Sequence, residues 1–154
     1  MMVIFTMFSA MAGASTMLYE RESGTLRRLL VMPLTKVQIM GGKLLGMFAV
    51  SISQIYILIF AGKFIYGLDW GASALALLLM VVAFALCIVS MSLMLAALLN
   101  SYAQLDAYST ATVIPMAGLG GAMWPIEIVP DFMPTIALFL PTGWAMRCFH
   151  YIVT

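Results

Sequence analysis

The chain has 154 residues, of which 64% are hydrophobic and only 8% are charged, and its mean hydropathy is +1.10. A soluble domain is about 45–50% apolar and about 25% charged, so this composition excludes a water-soluble fold. The net charge of +1 gives no reason to expect nucleic acid as a partner. The composition predicts an all-α, polytopic bundle of transmembrane helices in a lipid bilayer.

About four segments are long enough to form spanning helices, which need about 20 mostly apolar residues each. The predicted spans are residues 1–19, 36–66, 72–99 and 107–123. A polar cluster at residues 100–106 separates the third span from the fourth, and Pro115 is expected to kink the fourth. Gly67 is expected to start the tight turn that precedes the third span.

A polar segment, residues 20–35, follows the first predicted span. Within it Leu26, Leu29 and Leu30 recur at helical spacing, so we predict a short amphipathic helix here. This helix could simply lie on the membrane surface, or it could dock on a soluble partner and present its charges to it. The residue sequence by itself leaves both interpretations open.

The next helix is expected to begin near Thr35. Pro33 stops the preceding helix, and Thr35 and Gln38 have the spacing of a capping box. The sequence therefore predicts a span, a short polar helix, a sharp stop and a second span.

The composition changes after residue 123. Residues 124–146 are rich in proline, which removes backbone donors and breaks helices. We predict short helices or a re-entrant segment here, with the apolar run 135–140 stopped by Pro141 and Gly143. Another span is expected to begin near residue 147.

The basic residues predict the orientation of the chain in the membrane. Five of the seven lie within residues 20–43, which places that segment in the cytoplasm by the positive-inside rule. Residues 67–71 and 124–146 are then external, and residues 100–106 are cytoplasmic. This arrangement starts the chain outside the membrane without a preceding signal, so we expect a piece of a longer protein, truncated at both ends.

Two separated motifs resemble one family. The cytoplasmic segment carries Glu20-x-Glu22-x-Gly24-Thr25-Leu26-x-Arg28-Leu29, then Pro33 and Gly42-Lys43, and it resembles the cytoplasmic signature of ABC-2 type permeases. The later motif resembles that family's external segment between its fifth and sixth spans, through Gly120-Gly121-x-x-Trp124-Pro125, Pro130 and Pro141-x-x-Trp144. By this comparison residues 1–154 form a single permease domain that begins in the second span of the family and ends as the sixth begins, so it lacks the family's first and last spans.

The resemblance implies a multi-pass subunit of an ATP-driven drug or polysaccharide exporter in the cell membrane. It implies pairing with a second permease copy and with a separate ATP-binding subunit that carries ATP and Mg²⁺. The implied ATPase-coupling residues are Glu20, Arg21, Glu22, Gly24, Thr25, Arg27 and Arg28. The implied residues of the external segment are Trp124, Pro125, Glu127, Pro130, Pro141 and Trp144.

No cofactor or metal site is expected in this chain. The sequence has no GxxxxGK[ST] phosphate-binding motif, and His150 is its one histidine. It also has no HExxH motif and no nucleophile with a matching base, so an enzyme is disfavoured. ATP hydrolysis would belong to the partner subunit.

A passive pore or a secondary transporter is the main alternative function. An ion-coupled transporter usually places an ionisable residue inside the membrane. The uncharged runs 44–62, 72–99 and 107–123 contain no ionisable residue of this kind. Their absence disfavours an ion-coupled transporter but does not exclude a passive pore. Gln54 and Tyr56 are candidates for substrate contact, although helix packing is the commoner use of such residues.

Overall fold

The computed structural model describes residues 2–25, 35–67, 74–123 and 132–153. Within these ranges the chain forms helices and no strand. The helices are α1 (Met2–Glu22), α2 (Lys36–Tyr66), α3 (Ala74–Leu98), α4 (Tyr102–Leu119), α5 (Phe132–Ala137) and α6 (Pro141–Val153). This arrangement confirms the predicted all-α fold.

Three helices in the described ranges are long and apolar enough to cross a membrane. They occupy Met2–Glu22, Val37–Ile65 and Leu75–Leu98, at the positions of the first three predicted spans. α4 lies where the fourth span is predicted, but it begins at Tyr102 rather than at residue 107 and is not one of the three. Polar residues in its first half lower its hydropathy, and the helix continues through Pro115.

α1 is the central helix and packs against α2, α3 and α4. Its buried side chains recur every three or four residues, and they are Val3, Thr6, Met7, Ala10, Met11, Ala14, Ser15 and Leu18. The hydroxyls of Thr6 and Ser15 each donate to a carbonyl one turn earlier, at 2.9 Å. These bonds satisfy polar groups that have no water inside a bilayer.

Both ends of α2 follow the predicted local rules. The Thr35 hydroxyl accepts from the Gln38 amide at 3.3 Å, and the Gln38 side chain accepts from the Thr35 amide at 2.9 Å. Gly67, with φ +62°, ends the helix and donates to the Lys63 carbonyl. The 31 residues extend about 46 Å, more than the roughly 30 Å of a hydrocarbon core, so both ends reach the interfacial regions.

α5 and α6 begin within residues 124–146, where short helices or a re-entrant segment are predicted. Pro141 is the first residue of α6, a position that tolerates its fixed φ and missing amide hydrogen. The apolar run 135–140 ends before Pro141, and α6 begins there, includes Gly143 and continues past residue 147, where another span is predicted to begin. A Cβ at Gly143 would lie 2.7 Å from the Ala137 carbonyl carbon, so only glycine permits this tight turn.

The long helices alternate in direction and place their termini at two ends. One end, here called the charged end, holds the last turn of α1, the first part of α2, the first turn of α4 and the end of α3. α6 lies at the opposite end, where the Thr142 hydroxyl donates to the Met116 carbonyl at 2.7 Å. Phe149 of α6 joins the same buried cluster as Val3 and Val81. The described parts of segments 20–35 and 124–146 therefore lie at opposite ends of the bundle.

Candidate functional site

Three of the coupling candidates lie on the last turn of α1. Glu20, Arg21 and Glu22 continue the helix beyond residue 19, where the first span was predicted to end. Glutamate and arginine are good helix formers, so the helix loses little by continuing into the polar segment. Gly24 follows the helix with φ +72°, a left-handed conformation that favours glycine.

Glu20 forms an ion pair with Lys43 of α2. The two side chains are 31% and 19% exposed, so water screens the pair less than it would a fully exposed one. The same two helices also meet closer to the middle of the bundle. There a Cβ at Gly13 of α1 would lie 3.1 Å from the Cγ atom of Met47 of α2. A cavity of about 260 Å³ opens between α1 and α2 beside the ion pair. The pair therefore ties the end of α1 to α2.

Glu22 contacts a different helix. Its Oε1 atom accepts a hydrogen bond from the backbone amide of Tyr102, the first residue of α4, at 2.9 Å. A carboxylate at a helix N-terminus satisfies a free donor and interacts favourably with the helix dipole. Tyr19 and Tyr102 also form an edge-to-face ring pair with centroids 6.4 Å apart. The end of α1 is therefore joined to α4 at two points.

A small apolar cluster supports these polar contacts from below. Ala14 and Leu18 of α1 pack with Ala96 of α3 and Leu105 of α4, and all four are buried. Because small side chains let helices approach closely, the three backbones converge at this end. Glu22 is thus held on a packed helix end.

The turn after α1 is stabilised by short-range hydrogen bonds. The Ser23 hydroxyl lies 3.0 Å from the Thr25 hydroxyl and donates to the Glu20 carbonyl at 3.3 Å. Arg21, Glu22 and Thr25 are exposed. Arg27 and Arg28, the other two coupling candidates, lie outside the described residues.

The external candidates are only partly described, because Trp124, Pro125, Glu127 and Pro130 lie outside the described residues. Trp144 is exposed, and its indole N–H donates to the Leu138 carbonyl at 2.8 Å. This bond closes the turn between α5 and α6, which Pro141 and Gly143 also shape. The described part of this segment is therefore a tight turn that joins α5 and α6 and forms a corner between them.

The glycines at the end of α4 make close contact with α6. A Cβ at Gly120 would overlap the Thr142 side chain and lie 2.7 Å from the Met116 carbonyl oxygen. Gly121 has φ +77° and turns the chain away. Gly120 therefore permits close packing of the two helices, and Gly121 permits the turn that follows α4.

Two residues named as candidates for substrate contact face different surroundings. Gln54 lines an apolar groove of about 550 Å³ between α1 and α2, together with Phe5 and Ile57. Tyr56 is partly buried and packs against the main core cluster. Among the described residues no group of three potential ligands could hold a metal ion.

Several contacts at these sites could not be predicted from the sequence. Lys43 contacts Glu20 from 23 residues away, and Tyr102 contacts Glu22 from 80 residues away. Thr142 contacts Met116 from 26 residues away. The one usable signal was charge placement, which assigned residues 20–43 and 100–106 to the same side of the membrane. No spacing rule identifies which side chains then meet.

Comparisons with known proteins agree with the motifs. The ABC-2 type transporter family matches the whole chain, residues 1–154. The chain is 35% identical over 144 residues to the linearmycin resistance permease protein LnrN of Bacillus subtilis (strain 168), covering 94% of this chain and 37% of that protein. It is 27% identical over 139 residues to the inner membrane transport permease YhhJ of Escherichia coli (strain K12), covering 89% and 37%.

A third relative is the probable multidrug ABC transporter permease YbhR of Escherichia coli (strain K12). The identity is 29% over 122 residues, covering 79% of this chain and 33% of that protein. The chain thus spans only about a third of the length of these curated relatives. No solved structure is significantly similar to it.

The family match and the three long apolar helices together confirm the predicted location, a multi-pass protein of the cell membrane. The resemblance read from the Glu20–Lys43 region and the external prolines is confirmed across the full length of the chain. The chain belongs to the ABC-2 type transporter family, as a transmembrane permease domain.

Proposed function

We propose that this chain forms membrane-spanning permease helices of an ATP-driven exporter that is moved by a separate ATP-binding subunit. The observation that carries the proposal is the convergence of three helices at the charged end. There Glu20 contacts Lys43 of α2, and Glu22 contacts the Tyr102 amide of α4. A partner that moves residues 20–35 would therefore act on α1, α2 and α4 through one short segment.

The proposed partner binds ATP and Mg²⁺, since this sequence has no phosphate-binding motif of its own. Its docking surface on this chain is residues 20–35, with Arg21, Arg27 and Arg28 as the positive charges. Charged pairs across an interface fix its register, and they can be remade in each cycle more readily than a buried apolar contact. This chemistry suits a contact that changes during ATP binding and hydrolysis.

The exposed face of α4 supports a pathway beside this helix. Tyr108 and Thr110 are exposed in the part of α4 that overlaps the predicted span 107–123. Polar side chains in membrane proteins usually face a water-filled cavity or another protein surface rather than lipid. We propose that α4 lines a translocation pathway enclosed by two permease copies.

The names of the relatives support a class of substrate. A linearmycin resistance permease and a probable multidrug transporter permease are both similar to this chain along most of its length. We therefore propose export of drug-like organic compounds rather than of polysaccharide. The choice of compound would depend on residues beyond the coupling segment.

Charge reversal tests the proposed coupling. Arg27→Glu with Arg28→Glu, made in the full-length permease and expressed with its ATP-binding subunit, should insert into the membrane normally. We expect ATP-dependent export to fall at least about fivefold, the lower range of a typical coupling between sites. Drug accumulation in cells and ATP hydrolysis by the purified complex would measure the loss.

The matched control is Lys63→Glu, which reverses an exposed charge at the opposite end of α2. It should leave ATP-dependent export close to the wild-type level. Normal export by the double arginine variant would contradict the proposed docking surface. Recovery of the permease without any ATPase, together with compound flux that needs no ATP, would favour the passive pore instead.

A further inference from the structure

The carboxylate of Glu22 occupies an unusual position for a residue expected to face a partner protein. It stands on the last residue of α1 and accepts the amide hydrogen of Tyr102, 80 residues later in the chain. The exposed side chain therefore already has a partner within its own subunit. Arg21, next to it on the same turn, is exposed as well.

α4 has no cap of its own at this end. Ser101 stands at the N-cap position, but its hydroxyl makes no capping hydrogen bond. The first turn of α4 contains no acidic residue, and the Gln104 side chain reaches back to the Asn100 amide at 3.4 Å. Within the described residues, Glu22 is thus the acidic group at the N-terminus of α4.

The contact lies at one end of a continuous connection. Tyr19 and Leu18 of α1 pack against Tyr102 and Leu105 of α4, directly beside the hydrogen bond. At its other end α4 is tied to α6 by the bond from Thr142 to the Met116 carbonyl. α4 therefore connects the charged end of the bundle with the corner formed by α5 and α6.

We propose that Glu22 is a positioning residue that joins α1 to α4, so that movement of the coupling segment passes directly to α4. This inference rests on the proposed function for its role in transport. It assigns Glu22 a bond within the permease and removes it from the surface that docks the ATP-binding subunit. Glu20 keeps its ion pair with Lys43, and Arg21, Arg27 and Arg28 remain the proposed docking charges.

Three variants of the full-length permease, each studied with its ATP-binding subunit, test the assignment. Glu22→Ala removes the acceptor, and Glu22→Gln keeps an acceptor oxygen without the charge. The third combines Glu22→Ala with Ser101→Asp, which supplies α4 with a local cap but does not rejoin it to α1. Amide hydrogen exchange in the first turn of α4 and compound exported per ATP hydrolysed are measured for each.

In Glu22→Ala we expect the first-turn amides of α4 to exchange about 2-fold to 30-fold faster, the range for loss of a helix cap. Export per ATP should fall about fivefold or more, as expected when two sites lose their coupling. Glu22→Gln should lie between Glu22→Ala and the wild type in both measurements. The double variant should regain slow exchange and yet keep the low export per ATP.

Other outcomes would overturn the assignment. Restored export in the double variant would show that Glu22 only caps α4. Loss of the ATP-binding subunit from purified Glu22→Ala permease would place Glu22 in the docking surface. Unchanged amide exchange in Glu22→Ala would show that the bond to Tyr102 is absent. Failure of the proposed function looks different, because the wild type would then export nothing with ATP while the exchange measurements still report the bond.

Discussion

At the scale of single residues, Gly120 at the C-cap of α4 and Gly41 within α2 show how differently two glycines are constrained. A Cβ at Gly120 would overlap the Thr142 side chain, whereas nothing lies within 4 Å of a Cβ at Gly41. Both residues have backbone angles that alanine can adopt, since neither has a positive φ. The two positions therefore differ in the space available to a Cβ atom.

We predict that Gly120→Ala destabilises the permease by about 1–3 kcal/mol, the usual cost of overpacking a close contact. Gly41→Ala, as the control, should stabilise it by about 0.4–1 kcal/mol, because alanine loses less backbone entropy on folding. Thermal unfolding of the detergent-purified protein would measure both. A melting temperature of Gly120→Ala at or above that of the wild type would contradict the close contact between α4 and α6.

Local rules determined which residue roles could be predicted. Thr35 and Gln38 cap α2 as their spacing predicts, and Gly67 ends it, because both effects depend on neighbours within four residues. The partners of Glu20 and Glu22 depend on how helices far apart in sequence pack together. The coupling candidates could thus be named from the sequence, but their intramolecular bonds could not.

At the scale of helices, the sequence predicts where the long helices lie and roughly how far they extend. It does not predict which face of each helix is buried. α3 has no charged residue and is apolar on all sides, so its periodicity does not indicate which side faces the bundle. In a water-soluble protein, the buried face of a helix can be recognised because it is apolar and the outer face is polar. In a membrane protein the face toward lipid is also apolar, so this distinction is lost.

Ala96 and Ala97 provide a matched test of the buried face of α3. Ala96 is buried against Ala14, Leu18 and Leu105, whereas Ala97 is exposed. We predict that Ala96→Leu costs about 1–3 kcal/mol of stability by overpacking, and that Ala97→Leu changes it by less than about 0.5 kcal/mol. Thermal unfolding of the two variants in the same detergent compares them directly. Equal melting temperatures would show that α3 packs with a different face.

At the scale of the whole molecule, charge placement predicted the alternating order of the helices. It assigned residues 20–43 and 100–106 to one side, and the bond between Glu22 and Tyr102 joins those two regions. Charge placement could not predict that α1 is central, because the apolar segments have similar compositions and none is marked as the central one. Small residues on α1 favour the central position, because Gly13 lies close to α2 and Ala14 packs with Ala96 of α3 and Leu105 of α4.

The orientation of the bundle gives the last prediction. Because α2 spans about 46 Å, Ser23 and Lys63 should lie on opposite sides of the membrane, with Ser23 in the cytoplasm. In a full-length permease whose other cysteines, including Cys87 and Cys148, are replaced, a membrane-impermeant maleimide should label Lys63→Cys in intact cells. It should label Ser23→Cys only after permeabilisation, and Asn100→Cys should behave like Ser23→Cys because both flank the bond from Glu22 to Tyr102. Labelling of Ser23→Cys in intact cells would reverse the orientation, and with it the side from which an ATP-binding subunit could reach the charged end.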